Sequence, residues 1–144
     1  MQFLEKLKPL GLLVLRAAVG VSFMFYGYPK LSHPASALKT FTRYGFPSYF
    51  AYLSGILELF GGGLLVIGLF TRGVALLLAI EMGIVLVRVK IPEIGIYAIE
   101  QYDIPLLLGA AAVALTTTGA GLISLDAFTF ESRKAAPKKS KAKD

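Results

Sequence analysis

An all-α, polytopic membrane protein with a four-transmembrane-helix bundle is the fold class that this sequence predicts, and three observations lead there. Hydrophobic residues make up 56% of the 144 positions, and the mean hydropathy is +0.68, more apolar surface than a water-soluble core of this size hides. The apolar residues fall in four runs, each near the length of about 20 helical residues that crosses the hydrocarbon of a bilayer. Between the runs stand short clusters of Pro, Gly and charge.

The first run, about 10–28, follows Lys6 and Lys8 and so resembles the start of a signal peptide. Arg16 interrupts it, so it reads as a spanning helix that Pro29 and Pro34 end. Residues 30–48 place Lys30, His33, Lys39 and Arg43 among Leu38, Phe41 and Tyr44, which fits either a short amphipathic helix along the interface or an ordered loop. The second span is about 49–70 and contains Glu58 and the Gly61, Gly62, Gly63 triplet. Thr71, Arg72 and Gly73 leave room only for a tight turn into the third span, about 74–89, which carries Glu81 and Arg88. Ile91 to Tyr102 form the next connection, and the fourth span is about 103–122. Residues 1–130 thus form one transmembrane domain, and 131–144, rich in Ala, Pro, Lys and Ser, read as a disordered basic tail.

Charge sets the orientation. With both ends on one side, nine basic residues (Lys6, Lys8, Arg72, Arg133, Lys134, Lys138, Lys139, Lys141, Lys143) oppose Lys30, Lys39, Arg43 and Lys90, which puts both termini in the cytoplasm of a bacterial-type plasma (inner) membrane. All seven tyrosines then fall at or near the outer face, where an aromatic belt belongs. The net charge is +6, but six of the fifteen basic residues lie in the last twelve positions, so the expected acidic partner is an anionic lipid surface and not a nucleic acid. No Cys is present and the single His33 lies in a connection, which excludes disulfides, iron–sulfur clusters and thiolate metal sites; no metal is expected.

Inside the spans lie Arg16, Glu58, Glu81 and Arg88, with Asp103 at the outer mouth. Charges at this depth cost about 2.5–3.5 kcal/mol each on insertion scales, so they are expected to face the bundle interior and to pair. Counting depth along the helices pairs Arg16 with Glu81, and Arg88 with Asp103 or Glu58. Each helix offers one stripe for this: Arg16, Gly20, Phe23, Gly27 on the first; Ser54, Glu58, Gly61, Leu65 on the second. On the fourth, Leu107, Ala110, Ala114, Thr117 and Gly121 form a small-residue seam. Gly20, Gly27, Gly61, Gly62, Ala110 and Ala114 are therefore the expected packing residues. The five charges are the expected intramembrane polar pocket, and no residue is singled out as catalytic. Ion pairs that merely fix helix register would leave the same pattern.

The chain resembles DoxX-type membrane proteins over about Leu12 to Asp126. The residues that carry the resemblance are Leu15-Arg16-Ala17-Ala18-Val19-Gly20, Gly27-Tyr28-Pro29-Lys30-Leu31, Glu58-Leu59-Phe60-Gly61-Gly62, Gly68-Leu69-Phe70-Thr71-Arg72 and Gly119-Ala120-Gly121-Leu122-Ile123-Ser124-Leu125-Asp126. It departs from that pattern at Tyr26, where many members have His, and at Asp103, where Glu is common. The family is similar in plan to the membrane subunit of thiosulfate:quinone oxidoreductase. The resemblance implies a membrane subunit of a quinone-linked redox complex, with the charged residues around a quinone head group or small anion. A chain with no intrinsic cofactor needs a redox partner protein for its electrons, so it is not expected to be a complete oxidoreductase alone. A homo-oligomer is also compatible with it. From the residues alone, a small-molecule or ion transporter and a non-catalytic scaffold both stay open.

Overall fold

The computed structural model describes residues 2–95, 97–121 and 123–131. Every element among them is helical: α1 (Gln2–Ser32), α2 (Pro34–Arg43), α3 (Tyr49–Ile67), α4 (Thr71–Val85), α5 (Ile91–Ile94) and α6 (Asp103–Thr118), with short π-helical and 3-10 turns between or after them. The expected tail beyond Glu131 lies outside the described residues.

Pro29 does not end the first helix. α1 continues to Ser32, and the His33 amide still donates to the Pro29 carbonyl at 2.9 Å. The proline removes one amide donor but leaves the rest of the ladder intact, a loss that membrane helices tolerate. Pro34 instead opens α2, where a missing N–H costs nothing. α3 stops where Gly68 adopts a left-handed conformation (φ 75°) and its amide returns to Leu64. α4 passes without a break through a π turn (Leu86–Lys90) into α5, so helix is continuous from Thr71 to Ile94. Pro92, which has no N–H and crowds the carbonyl four residues before it, accounts for the widened turn.

α1 packs mainly on α3, α4 mainly on α6, and α3 joins the two pairs. The first contact is a seam of four glycines. A Cβ on Gly20 would lie 2.6 Å from the Gly62 carbonyl oxygen, and one on Gly27 would lie 2.5 Å from the Leu59 amide and 2.8 Å from the Gly55 carbonyl. Gly20 and Gly27 are seven residues apart, as are Gly55 and Gly62, so two turns of each antiparallel helix present backbone to backbone. Gly61 packs more loosely, its nearest neighbour being Val74, and Gly55 joins the seam unexpectedly. Val19, Phe23, Leu65, Leu78, Met82, Ala112 and Leu115 fill the core.

On α6 the packed stripe is Leu108, Ala111, Ala112 and Leu115, whereas Leu107, Ala110, Ala114 and Thr117 are exposed. Both stripes repeat at helical spacing; the one carrying the larger leucines fills the space against α4. α1 (from Glu5) and α3 are each long and apolar enough to cross a bilayer.

Candidate functional site

Lys30 lies between two glutamates. Its Nζ is 2.6 Å from Glu58 Oε2 and donates to Ser54 Oγ at 2.8 Å. The Ser54 hydroxyl donates in turn to Glu81 Oε1 through a short hydrogen bond. Three helices supply the four side chains: Lys30 from the end of α1, Ser54 and Glu58 from one face of α3, Glu81 from α4. The local sequence explains the meeting. Ser54 and Glu58 are one turn apart, Gly27 brings α1 against Glu58 Cβ, and side chains on a helix lean toward its N-terminus, so Lys30 reaches back along α1 into the bundle. Glu58 is 2% exposed, and the Lys30 side chain keeps 23%.

This cluster forms the polar end of a cavity of about 410 Å³. Lys30, Ser54 and Glu81 line it, while Phe41, Phe46, Phe50, Leu53, Leu57, Leu77, Ile80, Ile84, Val85 and Val89 make its walls almost wholly apolar. α2 and the following turn close over it. Phe41, Phe46 and Phe50 form a chain of tilted rings with centroids 5.9 and 6.1 Å apart, and the Phe41 ring centroid is 5.7 Å from Lys30 Nζ. At the far edge, the Tyr44 hydroxyl donates to Glu93 Oε2 at 2.6 Å and Arg43 stands 3.7 Å from Glu93 Oε1, tying the end of α2 to α5. That hydrogen bond, with some desolvation and the negative charge of Glu93, holds the Tyr44 pKa above its ordinary value.

Of the five charges expected to share a pocket, the structure brings together only Glu58 and Glu81. Arg16 is elsewhere, 14 residues or about 21 Å along α1 from Lys30. It is 2% exposed and donates to the carbonyls of Ala120 (2.6 Å) and Ile123 (2.9 Å), in the segment after α6. The expected Arg16–Glu81 pair is thus absent, because Glu81 lies ten residues into α4, deeper than the turn that Arg16 reaches. Asp126 completes this second polar knot: its carboxylate accepts from the Phe70 and Thr71 amides at 2.8 and 2.9 Å, capping the N-terminus of α4. Phe70, the one described non-glycine residue with positive φ (51°), is held there by that carboxylate.

Arg88 pairs with neither Asp103 nor Glu58. It is exposed on the π turn, its guanidinium 5.9 Å from the Phe46 ring, and Asp103 accepts from the Ile104 amide at the start of α6. The π turn redirects Arg88, which counting depth along a regular helix had paired with Asp103 or Glu58. Lys30, which sequence reasoning counted as an outer-loop cation, holds the centre. The signal that points to it is its position three residues after a glycine that packs beside a buried glutamate.

The model of the DoxX family matches residues 11–90. The chain belongs to the DoxX family. Among curated proteins it is 35% identical over 127 residues to a Bacillus subtilis protein named "Putative oxidoreductase CatD", covering 87% of this chain and 91% of that one. It is 31% identical over 133 residues to an uncharacterized membrane protein of Mycobacterium tuberculosis, covering 82% and 80%. No solved structure matches it. Family and relatives make this DoxX protein a membrane protein. The family match spans Arg16, Lys30, Ser54, Glu58 and Glu81 and ends before α6.

Proposed function

We propose that this DoxX protein is the membrane subunit of a quinone-linked redox assembly and that the cavity beside Lys30 seats the quinone head group. One observation carries the reading: a largely apolar, aromatic cavity of about 410 Å³ has in its lining the hydrogen-bonded chain Lys30–Ser54–Glu81, with Thr40 and Tyr44 as its other polar residues. Small-molecule sites commonly have this form, with volumes of about 300–1,000 Å³ and a few convergent polar groups. The rings of Phe41, Phe46 and Phe50 suit a flat conjugated ring, Lys30 suits a carbonyl oxygen, and Glu81 suits the exchange of a proton with it. A small anion fits less well, since two carboxylates already face the one ammonium. Electrons come from a partner protein in this reading, and the relative named as an oxidoreductase supports it.

The membrane arrangement belongs to the same proposal. α1, α3, the continuous helix from Thr71 to Ile94 and α6 are the four spans, in the bacterial inner membrane, with both termini cytoplasmic. The Arg16 knot then lies toward the cytoplasm and α2 on the outer interface. Binding of a short-chain ubiquinone analogue to the purified protein in lipid nanodiscs tests the site. Lys30→Met and Phe41→Ala should each weaken binding at least about tenfold, which is about 1.4 kcal/mol, while Arg88→Gln should not. Equal affinity in the wild type and in Lys30→Met would sink the reading.

A further inference from the structure

Two cavities meet at Lys30. The second, about 360 Å³, lies between the end of α1 and α2, and Tyr26, His33 and Ser36 give it a polar rim. Lys30, Thr40 and Phe41 line both cavities, so the ammonium and the Phe41 ring form the partition between an almost wholly apolar chamber and one with a polar rim.

The partition is built from groups that pass protons. An ammonium has three N–H donors; Ser54 Oγ accepts one of those on Lys30, and Glu58 Oε2 stands 2.6 Å from the Nζ as its ion-pair partner. Ser54 continues the chain to Glu81 Oε1, and Glu81 Oε2 is buried with no hydrogen-bond partner. One ammonium against two carboxylates leaves an excess negative charge at a depth where an unbalanced charge is costly, which makes Glu81 a proton acceptor. Every element around Lys30 contributes: Glu58 from α3, Glu81 from α4, His33 at the entry to α2 and Tyr44 at its exit.

We propose that the cavity between α1 and α2 is the aqueous branch through which the Lys30–Ser54–Glu81 chain exchanges a proton with the solution on the α2 side. Ser54 Oγ gives its proton to Glu81, Lys30 Nζ returns one to Ser54, and the amine takes one from water entering by the polar rim of the second cavity. Glu81 gains one proton, and water supplies it. The purpose of the branch rests on the quinone reading, because quinone reduction consumes protons along with electrons; its geometry does not.

The sequence has no Cys, so a single introduced cysteine can be modified selectively. The full chain bearing Ala37→Cys, a position that lines the polar cavity, is folded in nanodiscs and then treated with a bulky, water-soluble methanethiosulfonate. Blocking after folding separates the effect from any fault in assembly. The readout is hydrogen–deuterium exchange of the protonated carboxyl band in the infrared, assigned by its loss in Glu81→Gln. Modification should slow that exchange at least about tenfold, a barrier increase of about 1.4 kcal/mol. The proposal is overturned if the cysteine does not react, if no carboxyl band is lost in Glu81→Gln, or if exchange continues at its unmodified rate. Ubiquinone-analogue binding by the unmodified protein is measured alongside. Absent binding with blocked exchange would defeat the quinone reading and leave the proton branch standing.

Discussion

Lys30 and Glu58 form an ion pair at 2.6 Å across the α1–α3 contact, where Gly27 brings the α1 backbone against Glu58 Cβ. Breaking a buried pair from one side strands the other charge, at a cost of about 3 kcal/mol or more in soluble proteins. Lys30→Met and Glu58→Gln should therefore each lower stability, and the double variant should recover much of the loss. Thermal melting in detergent over the full double-mutant cycle measures the coupling. Additive losses would show that the pair contributes nothing as a pair.

The glycine seam makes a sharper demand on size. Gly62 has the Gly20 carbonyl 2.5 Å from the place of a Cβ, whereas nothing lies within 4 Å of that place on Gly63. Gly62→Leu should lower stability by about 1–3 kcal/mol, the usual cost of overpacking, and Gly63→Ala should change it little. Unfolding in mixed denaturing detergent compares the two. Similar effects would mean that the helices separate freely.

Arg16 is expected to hold the segment after α6. Hydrogen bonds to a charged group contribute about 1.5–3 kcal/mol, so Arg16→Gln should loosen Ala120 and Ile123 and speed proteolysis there. Asp126→Asn, which weakens the cap on α4, should cost less, about 1 kcal/mol. Neither should alter quinone-analogue affinity by as much as Lys30→Met. A larger effect on affinity than on melting would place Arg16 in the ligand site.

The Tyr44–Glu93 clasp has a pH signature. Its hydrogen bond raises the Tyr44 pKa above the ordinary value of about 10, so the contribution to stability is complete below that value and is lost as pH rises through the higher one. Difference absorbance titration of wild type against Tyr44→Phe isolates this tyrosine from the other six. In Glu93→Gln its titration should move down. An unchanged titration would mean that the two side chains do not bond.

The proposed orientation, with both termini cytoplasmic, rests on the nine-to-four asymmetry of basic residues. Ser36→Cys should react with a membrane-impermeant thiol reagent in intact cells, and Ser140→Cys only after lysis. The reverse pattern would invert the topology.

Composition and run length were enough to determine an all-helical membrane protein, and the motif residues were enough to place it in its family, because the cost of exposing polar backbone to lipid leaves few alternatives. Glu58 and Glu81 were recognisable as inward-facing for the same reason: a carboxylate at that depth needs a partner. Which partner it found was decided by tertiary structure. Depth counting joined Arg16 to Glu81, but the chain after α6 folds back onto Arg16, and its Ala120 and Ile123 carbonyls accept from the guanidinium. Lys30 seemed to lie outside because Pro29 suggested a helix end; α1 runs on, and a long side chain leaning toward the N-terminus carries its charge inward to Glu58. The packed face of α6 and the turning of Arg88 were likewise settled between helices. One helix can present two plausible stripes, and only the surface opposite chooses between them.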